Sequence, residues 1–175
     1  MRNFKKVLSL CLVLVMLCSV MSISAFATDQ YTVTIYLERI IRDEDNEVTS
    51  HSHMNGGATL QLVVDSGTNL KTVIATLCDQ TGSAITDDVW GTNDGEYLTS
   101  LKVNGVTYAN NDHFYPNTPT TGKTTYIGDS WMYFEGTPSS IPETTYIYPS
   151  ISLYNRTVTA DTTITLSYET QTFVW

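Results

Sequence analysis

The sequence predicts an α+β protein in which one helix packs across a mixed β-sheet. Three observations lead to this fold class. First, apolar and polar residues alternate, as in a strand, before a segment with helical spacing. Second, this is the one segment with helical spacing after the N-terminal apolar run. Third, residues 97–175 carry strand and turn patterns throughout. An amphipathic helix has to bury its apolar stripe, and a sheet is the partner that this sequence offers. The C-terminal half is therefore expected to be rich in strands.

Residues 1–27 are expected to be a signal peptide that is removed from the folded protein. Basic residues precede the apolar run Val7–Val20, and Ala25-Phe26-Ala27 matches the small-residue pattern that signal peptidases accept before Thr28. Residues 28–175 are then one domain, of a length that can bury a hydrophobic core. This predicts a secreted, extracellular protein, either free or retained at the cell surface.

The charge of the chain excludes several partners. Three of the nine Lys and Arg residues lie in residues 1–27, which leaves six against all 18 Asp and Glu, a formal charge of −12 for residues 28–175. Such a surface repels nucleic acids and anionic lipids. No second apolar run approaches the roughly 20 residues of a membrane-spanning helix, so no membrane association is expected after cleavage.

The first elements of the domain follow from period-two alternation. Tyr31–Leu37 alternates and predicts a strand with one buried face. The charged stretch at residues 42–57 ends in Asn55-Gly56-Gly57, a turn signal, and predicts an exposed hairpin loop. Alternation resumes in Ala58–Val64, which predicts a second strand.

A helix of about three turns is predicted next. Thr68 or Asn69 can cap its first turn through a side-chain oxygen, and Gly82 follows its end. Cys78 lies beside its apolar stripe and is the sole cysteine of residues 28–175, which predicts a buried free thiol and no disulfide. The apolar residues at helical spacing are Leu70, Val73, Ile74 and Leu77.

Asp87, Asp88 and the Asn93-Asp94-Gly95 cluster predict a polar loop after the helix. Strands and turns fill the remainder of the chain. Tyr97–Val103 runs into Asn104-Gly105, a strong hairpin signal, and Asn110–Gly122 is expected to be a loop. Ser130–Gly136 predicts an aromatic strand, and Thr163–Tyr168 alternates clearly. Two strands, one helix across a mixed sheet and several further strands are typical of a β-grasp-like architecture.

Four segments in this order are similar to a known family, and they are Ser66–Leu70, Gly95–Leu101, Ser130–Gly136 and Ala160–Tyr168. The chain resembles the transcobalamin-like C-terminal domain, a secreted bacterial β-grasp-like domain, and the resemblance covers most of residues 28–175. It implies a binding role rather than catalysis. In vitamin B12 carriers this domain closes over one face of the corrin, so the resemblance implies a corrinoid as one candidate ligand.

Aromatic side chains are the predicted ligand-binding residues. Trp131 and Tyr133 share one face of a strand, and Tyr146 and Tyr148 lie in a segment punctuated by proline. An exposed set of rings would offer a flat platform to a sugar ring or a corrin. The alternative is structural, with the rings covered by the helix and the proline-rich segment.

Metal and catalytic sites are not predicted. His51 and His53 could help to hold zinc, and Asp43, Asp45 and Glu47 could hold calcium, but neither set has a full complement of ligands. A solvated charged loop explains both, so no metal and no cofactor are expected. Nucleophile elbows, zinc-binding helix motifs and phosphate loops are absent from the sequence.

The sequence therefore predicts a secreted, non-enzymatic module that binds a corrinoid-like small molecule or a glycan through an aromatic face. The alternative function is a structural or adhesive domain that binds another surface protein. An acidic glycan hydrolase is a third interpretation, and it requires two carboxylates that face each other across a cleft.

Overall fold

A computed structural model describes residues 28–91, 97–115, 124–143 and 152–174. These residues form an α+β fold with nine strands, one α-helix and a short 3-10 turn at Pro138–Ser140. The elements in chain order are β1 (Gln30–Arg42), β2 (Val48–His53), β3 (Leu60–Asp65), α1 (Leu70–Asp79), β4 (Ile85–Trp90), β5 (Leu98–Val103), β6 (Val106–Ala109), β7 (Asn111–Tyr115), β8 (Thr125–Glu135) and β9 (Thr162–Val174).

The larger sheet is built around β1. Its strand order is β2-β1-β9-β8-β7, and β3 also pairs with β1. The 13-residue β1 is long enough for two antiparallel partners on one edge, β3 along Gln30–Ile35 and β2 along Glu38–Arg42. On its other edge β1 runs parallel to β9. Parallel neighbours need a long crossover connection, and this connection contains α1 and the remaining strands.

The second sheet is small and has the order β4-β5-β6. The main core lies between one face of the larger sheet, the helix and this small sheet, and it includes Ile35, Ile74, Leu101 and Leu166. The predicted α+β class is confirmed, although a second sheet was not expected. Side chains join the two sheets: the Trp131 indole N–H donates to the carbonyl oxygen of Tyr108 at 2.9 Å.

The predicted helix and its cap are confirmed. The four residues at helical spacing are buried in α1, and the side chain of Asn69 accepts a hydrogen bond from the backbone N–H of Thr72 at 2.8 Å. This bond satisfies one of the backbone donors that every helix N-terminus leaves unpaired.

The Asn104-Gly105 hairpin is also confirmed. Both residues have positive φ, 48° and 83°, which is the geometry of a tight type I′ turn between β5 and β6. The Asn104 side chain also donates to the carbonyl oxygen of Met54, so this turn contacts the turn that follows β2.

Three polar segments that the sequence assigned to loops contain strands. β1 continues beyond Leu37 to Arg42, and the charged stretch after it contains β2. Asp87 and Asp88 lie in β4, whose register shifts there, and β7 begins the expected loop after Asn110. These strands are short or lie at sheet edges, where side chains meet solvent and no apolar pattern is required.

Several predictions fall outside the described residues. These are the signal peptide at residues 1–27, the Asn93-Asp94-Gly95 turn, and Tyr146 and Tyr148. Among the helical residues that the structure does describe, no segment is long and apolar enough to cross a membrane.

Candidate functional site

Trp131 and Tyr133 do not form an exposed platform. Each is 7% exposed, and both belong to the main core. Trp131 lies opposite Tyr168 in the β8–β9 register, with their ring centroids 5.3 Å apart, and Tyr133 lies opposite Leu166. These two rings therefore do not form the expected exposed face, because their face of the sheet is the one that the helix and the small sheet cover.

The opposite face of the larger sheet carries the candidate site. Alternation along β1 points Glu38, Ile40 and Arg42 away from the main core. In the parallel register with β9, Glu38 lies beside Ser167 and Ile40 beside Glu169. Two carboxylates and one guanidinium are thereby placed on adjacent central strands.

Arg42 and Glu169 form a buried ion pair on this face. The Arg42 Nε lies 2.8 Å from Glu169 Oε2, and their side chains are 2% and 1% exposed. The Ser167 hydroxyl donates to the other carboxylate oxygen at 2.8 Å. Arg42 also donates through Nη1 to the carbonyl oxygen of Pro142 at 3.0 Å. The pair therefore attaches the segment after the 3-10 turn to the sheet.

Glu38 is buried beneath two histidines of β2. Its side chain is 1% exposed, and its oxygens lie 2.9 Å from His51 Nε2 and 2.8 Å from His53 Nδ1. An ionised carboxylate can only accept hydrogen bonds, so each imidazole N–H is the donor. These histidines were predicted to lie in a solvated loop, and the pairing of β2 with β1 places them over Glu38 instead.

The contacts of Glu38 with His51 and His53 also affect whether these side chains could bind a metal ion. Within the described ranges, no group of three or more His, Cys, Asp or Glu side chains is arranged to hold a metal ion. In this cluster the ring nitrogens contact the carboxylate directly. The histidines thus act as hydrogen-bond donors to a buried acid.

A cavity of about 650 Å³ lies beside this cluster, between β2 and the segment around the 3-10 turn. Its apolar wall comes from Ile40, Val48 and Ile141, and its polar groups include Glu47, His51 and Glu143. A backbone hydrogen bond from Val48 N–H to the Glu143 carbonyl oxygen, 3.0 Å long, joins the two sides. Phe134 packs with Ile40 and Ile141 beneath the cavity.

Sequence reasoning missed these residues, although one signal was present. The period-two pattern of Tyr31–Leu37 continues through Glu38, Ile40 and Arg42, which places charged residues at regular strand positions. The strand Thr163–Tyr168 similarly continues into Glu169. Opposite charges at the continuing positions of two strands would have suggested a buried ion pair.

Cys78 lies apart from the site and is half-buried on α1. Burial, assisted by the negative charge of Asp88, raises the pKa of its thiol from 9.0 to about 12. The expected free thiol is thus present, with partial burial, and it is held in its protonated form.

We expect the Cys78 thiol to react slowly in the folded protein. At pH 8 the thiolate, which is the reactive form, is strongly depleted, so labelling with an aromatic disulfide reagent should be at least roughly tenfold slower than in denaturant. Because the unfolded chain loses this proton near its ordinary pKa and the folded chain retains it, the contribution to stability falls as pH rises from 9.0 to about 12. A Cys78→Ser variant gives the background rate, and equal rates with and without denaturant would contradict the prediction.

These features define an α+β protein with a buried, histidine-covered acid and a partly apolar cavity on the outer face of its larger sheet. Comparisons with protein-family models, with curated proteins and with solved structures find no match to the chain.

Proposed function

We propose that this protein is an extracellular, non-enzymatic binding module whose ligand occupies the cavity between β2 and Pro138–Glu143. The observation that carries the proposal is the cavity itself. Its volume of about 650 Å³ lies in the range of small-molecule sites. Such sites combine an apolar wall with a few polar groups that orient the ligand, and Ile40, Val48 and Ile141 supply the wall here.

The site also has a pre-organised frame. The Arg42 guanidinium holds the Pro142 carbonyl on one side of the cavity, and Glu38 holds the His51 imidazole on the other. Both anchoring side chains project from β1, which is paired with strands on both edges. A cavity whose walls are fixed before binding loses little conformational entropy when the ligand enters.

The contacts of the two buried carboxylates favour binding over hydrolysis. Acid–base cleavage of a glycoside needs one carboxyl group to donate a proton and another to act as base or nucleophile. Glu38 accepts hydrogen bonds from two imidazoles, and Glu169 accepts from Arg42 and Ser167. Neither group is free to approach a substrate, so the two buried carboxylates do not supply the acid and the base of a glycosidase.

We further infer that the domain is β-grasp-like and related to the transcobalamin-like C-terminal domains. Support comes from the order of its elements: β1 is antiparallel to β3, parallel to the late strand β9, and separated from it by a helix that packs on the core. A glycan or another small molecule remains the candidate ligand, whereas a whole corrinoid is larger than a cavity of about 650 Å³ and could insert only part of its surface. Since Trp131 and Tyr133 are buried, we place the ligand in the cavity.

The proposal is tested by titrating the isotope-labelled protein with cyanocobalamin, with oligosaccharides and with small amphiphilic molecules, followed by two-dimensional NMR. We expect a ligand to perturb the signals of Ile40, Val48 and Ile141. A Ser139→Trp variant places a large ring at the exposed cavity wall and should abolish binding. The matched control is Ser66→Trp, in the exposed turn after β3.

Two results would contradict the proposal. One is binding that survives Ser139→Trp and perturbs signals away from the cavity. The other is the absence of any perturbation by all three ligand classes at millimolar concentration. A ligand that binds the wild type and Ser66→Trp equally, but not Ser139→Trp, would establish the site.

A further inference from the structure

We infer that the cavity selects amines, that is, ligands with an ammonium group attached to an apolar body. The inference rests on the proposed function and adds the chemical class of the ligand. The geometry that carries it is the placement of two carboxylates, Glu47 and Glu143, at an apolar wall made by Val48 and Ile141.

Neither rim carboxylate has a cationic partner among the residues that the structure describes. Glu47 and Glu143 are exposed, and the ion pairs found among the described residues include neither of them. The nearest guanidinium along the chain, that of Arg42, is committed to Glu169 and to two backbone carbonyls. The rim therefore has a negative potential that the described part of the chain does not neutralise.

The remaining described cations are engaged elsewhere in the fold. Arg39 pairs with Asp129, Lys102 with Asp87 and Arg156 with Glu135. Lys71 lies between two aromatic rings, with Nζ 5.3 Å from the ring centre of Trp90 and 5.2 Å from that of Tyr154. None of the lysines and arginines that the structure describes therefore neutralises the carboxylates at the cavity.

The histidines do not reverse this charge. His51 lines the cavity, and both His51 and His53 contact Glu38. If both imidazoles were protonated, the carboxylates of Glu38, Glu47 and Glu143 would still leave one net negative charge. Anionic ligands are repelled under either condition, whereas an ammonium ion is attracted.

The apolar wall of the cavity determines the apolar body of the ligand. Val48 and Ile141 present aliphatic side chains to the cavity, and the fully buried Ile40 and the ring of Phe134 pack behind them. Such a surface favours a ring or a short hydrocarbon chain, because burial of apolar area is favourable in proportion to the area removed from water. An aryl- or alkylamine satisfies both the wall and the rim.

The test compares three indoles of nearly equal shape: tryptamine, which is a cation, tryptophol, which is neutral, and indole-3-propionate, which is an anion. Calorimetry on the purified protein should show that tryptamine binds most tightly, tryptophol less tightly and indole-3-propionate most weakly. The charge-assisted hydrogen bond should be worth roughly tenfold in affinity between the first two. The preference should weaken at high salt, because an exposed rim is screened.

Variants of the rim separate charge from shape. Glu47→Gln combined with Glu143→Gln should remove the preference for tryptamine, so that tryptamine and tryptophol bind this variant with similar affinities. The matched control is Glu44→Gln, an exposed acid of the same turn that does not line the cavity. Circular dichroism and thermal unfolding of each variant verify that the fold is retained.

The outcomes distinguish this inference from the proposed function. If all three indoles bind with equal affinity, and Ser139→Trp abolishes that binding, the amine preference is overturned while the proposed binding function of the cavity is retained. A preference for tryptamine that persists in the double glutamine variant would also overturn it. If no indole binds and no other ligand class binds in the earlier titrations, both proposals fail together.

Discussion

Replacing Arg42 by methionine is expected to destabilise the protein by about 3–5 kcal/mol, the usual cost of removing one partner from a buried ion pair. The Glu169 carboxylate would remain 1% exposed with no cation beside it. The contact from Arg42 to the Pro142 carbonyl would also be lost. Chemical denaturation, followed by circular dichroism, measures the change in unfolding free energy.

Two further variants make this prediction specific. The double change Arg42→Met with Glu169→Gln should recover most of the loss, since a neutral amide can still accept the hydrogen bond from Ser167. Lys102→Met breaks an exposed pair, whose side chains are 37% and 72% exposed, and should cost at most about 1 kcal/mol. Equal losses for Arg42→Met and Lys102→Met would show that the Arg42 pair is not buried in solution.

Truncating Trp131 to alanine is expected to destabilise the protein by about 3–5 kcal/mol, as for other large aromatic residues in a core. The indole is 7% exposed, lies against the Tyr168 ring and donates its N–H to the Tyr108 carbonyl. Its loss would leave a cavity at the junction of the two sheets. Denaturation monitored by circular dichroism measures the effect.

Two control variants distinguish a core role of Trp131 from a ligand-binding role. Tyr154→Ala, at an aromatic residue 36% exposed, should cost less than about 1 kcal/mol because it removes mainly a contact with Lys71. Trp131→Phe retains most of the packing and should leave ligand affinity unchanged. A stable Trp131→Phe protein that no longer binds ligand would restore the exposed aromatic face as the site.

Local patterns predicted the parts of this fold that depend on neighbours in sequence. The apolar spacing of α1 predicted its buried stripe, and Asn69 was among the two predicted caps. The Asn104-Gly105 turn was predicted because a type I′ hairpin needs positive φ at both central residues. In each case the interactions that decide the structure lie within a few residues of one another.

The candidate site could not be predicted in this way. Glu38, His51 and Glu169 lie far apart in the chain, and a polar stretch such as Val48–His53 has the composition of a loop until a partner strand is known. The interpretation of Trp131 as an exposed ring failed for the same reason. Alternation shows that two strand faces differ, but it does not show which face another layer covers.

Short-range periodicity and turn chemistry were enough to predict the helix, its cap and the tight hairpin, and composition was enough to predict an acidic chain. The choice of the sheet face that became the main core depended on the packing of distant elements, which also brought Arg42 against Glu169 and two histidines over Glu38. The physical reason is that burial and charge pairing depend on contacts between distant strands. Those contacts exist after β1 has joined β2 on one edge and β9 on the other.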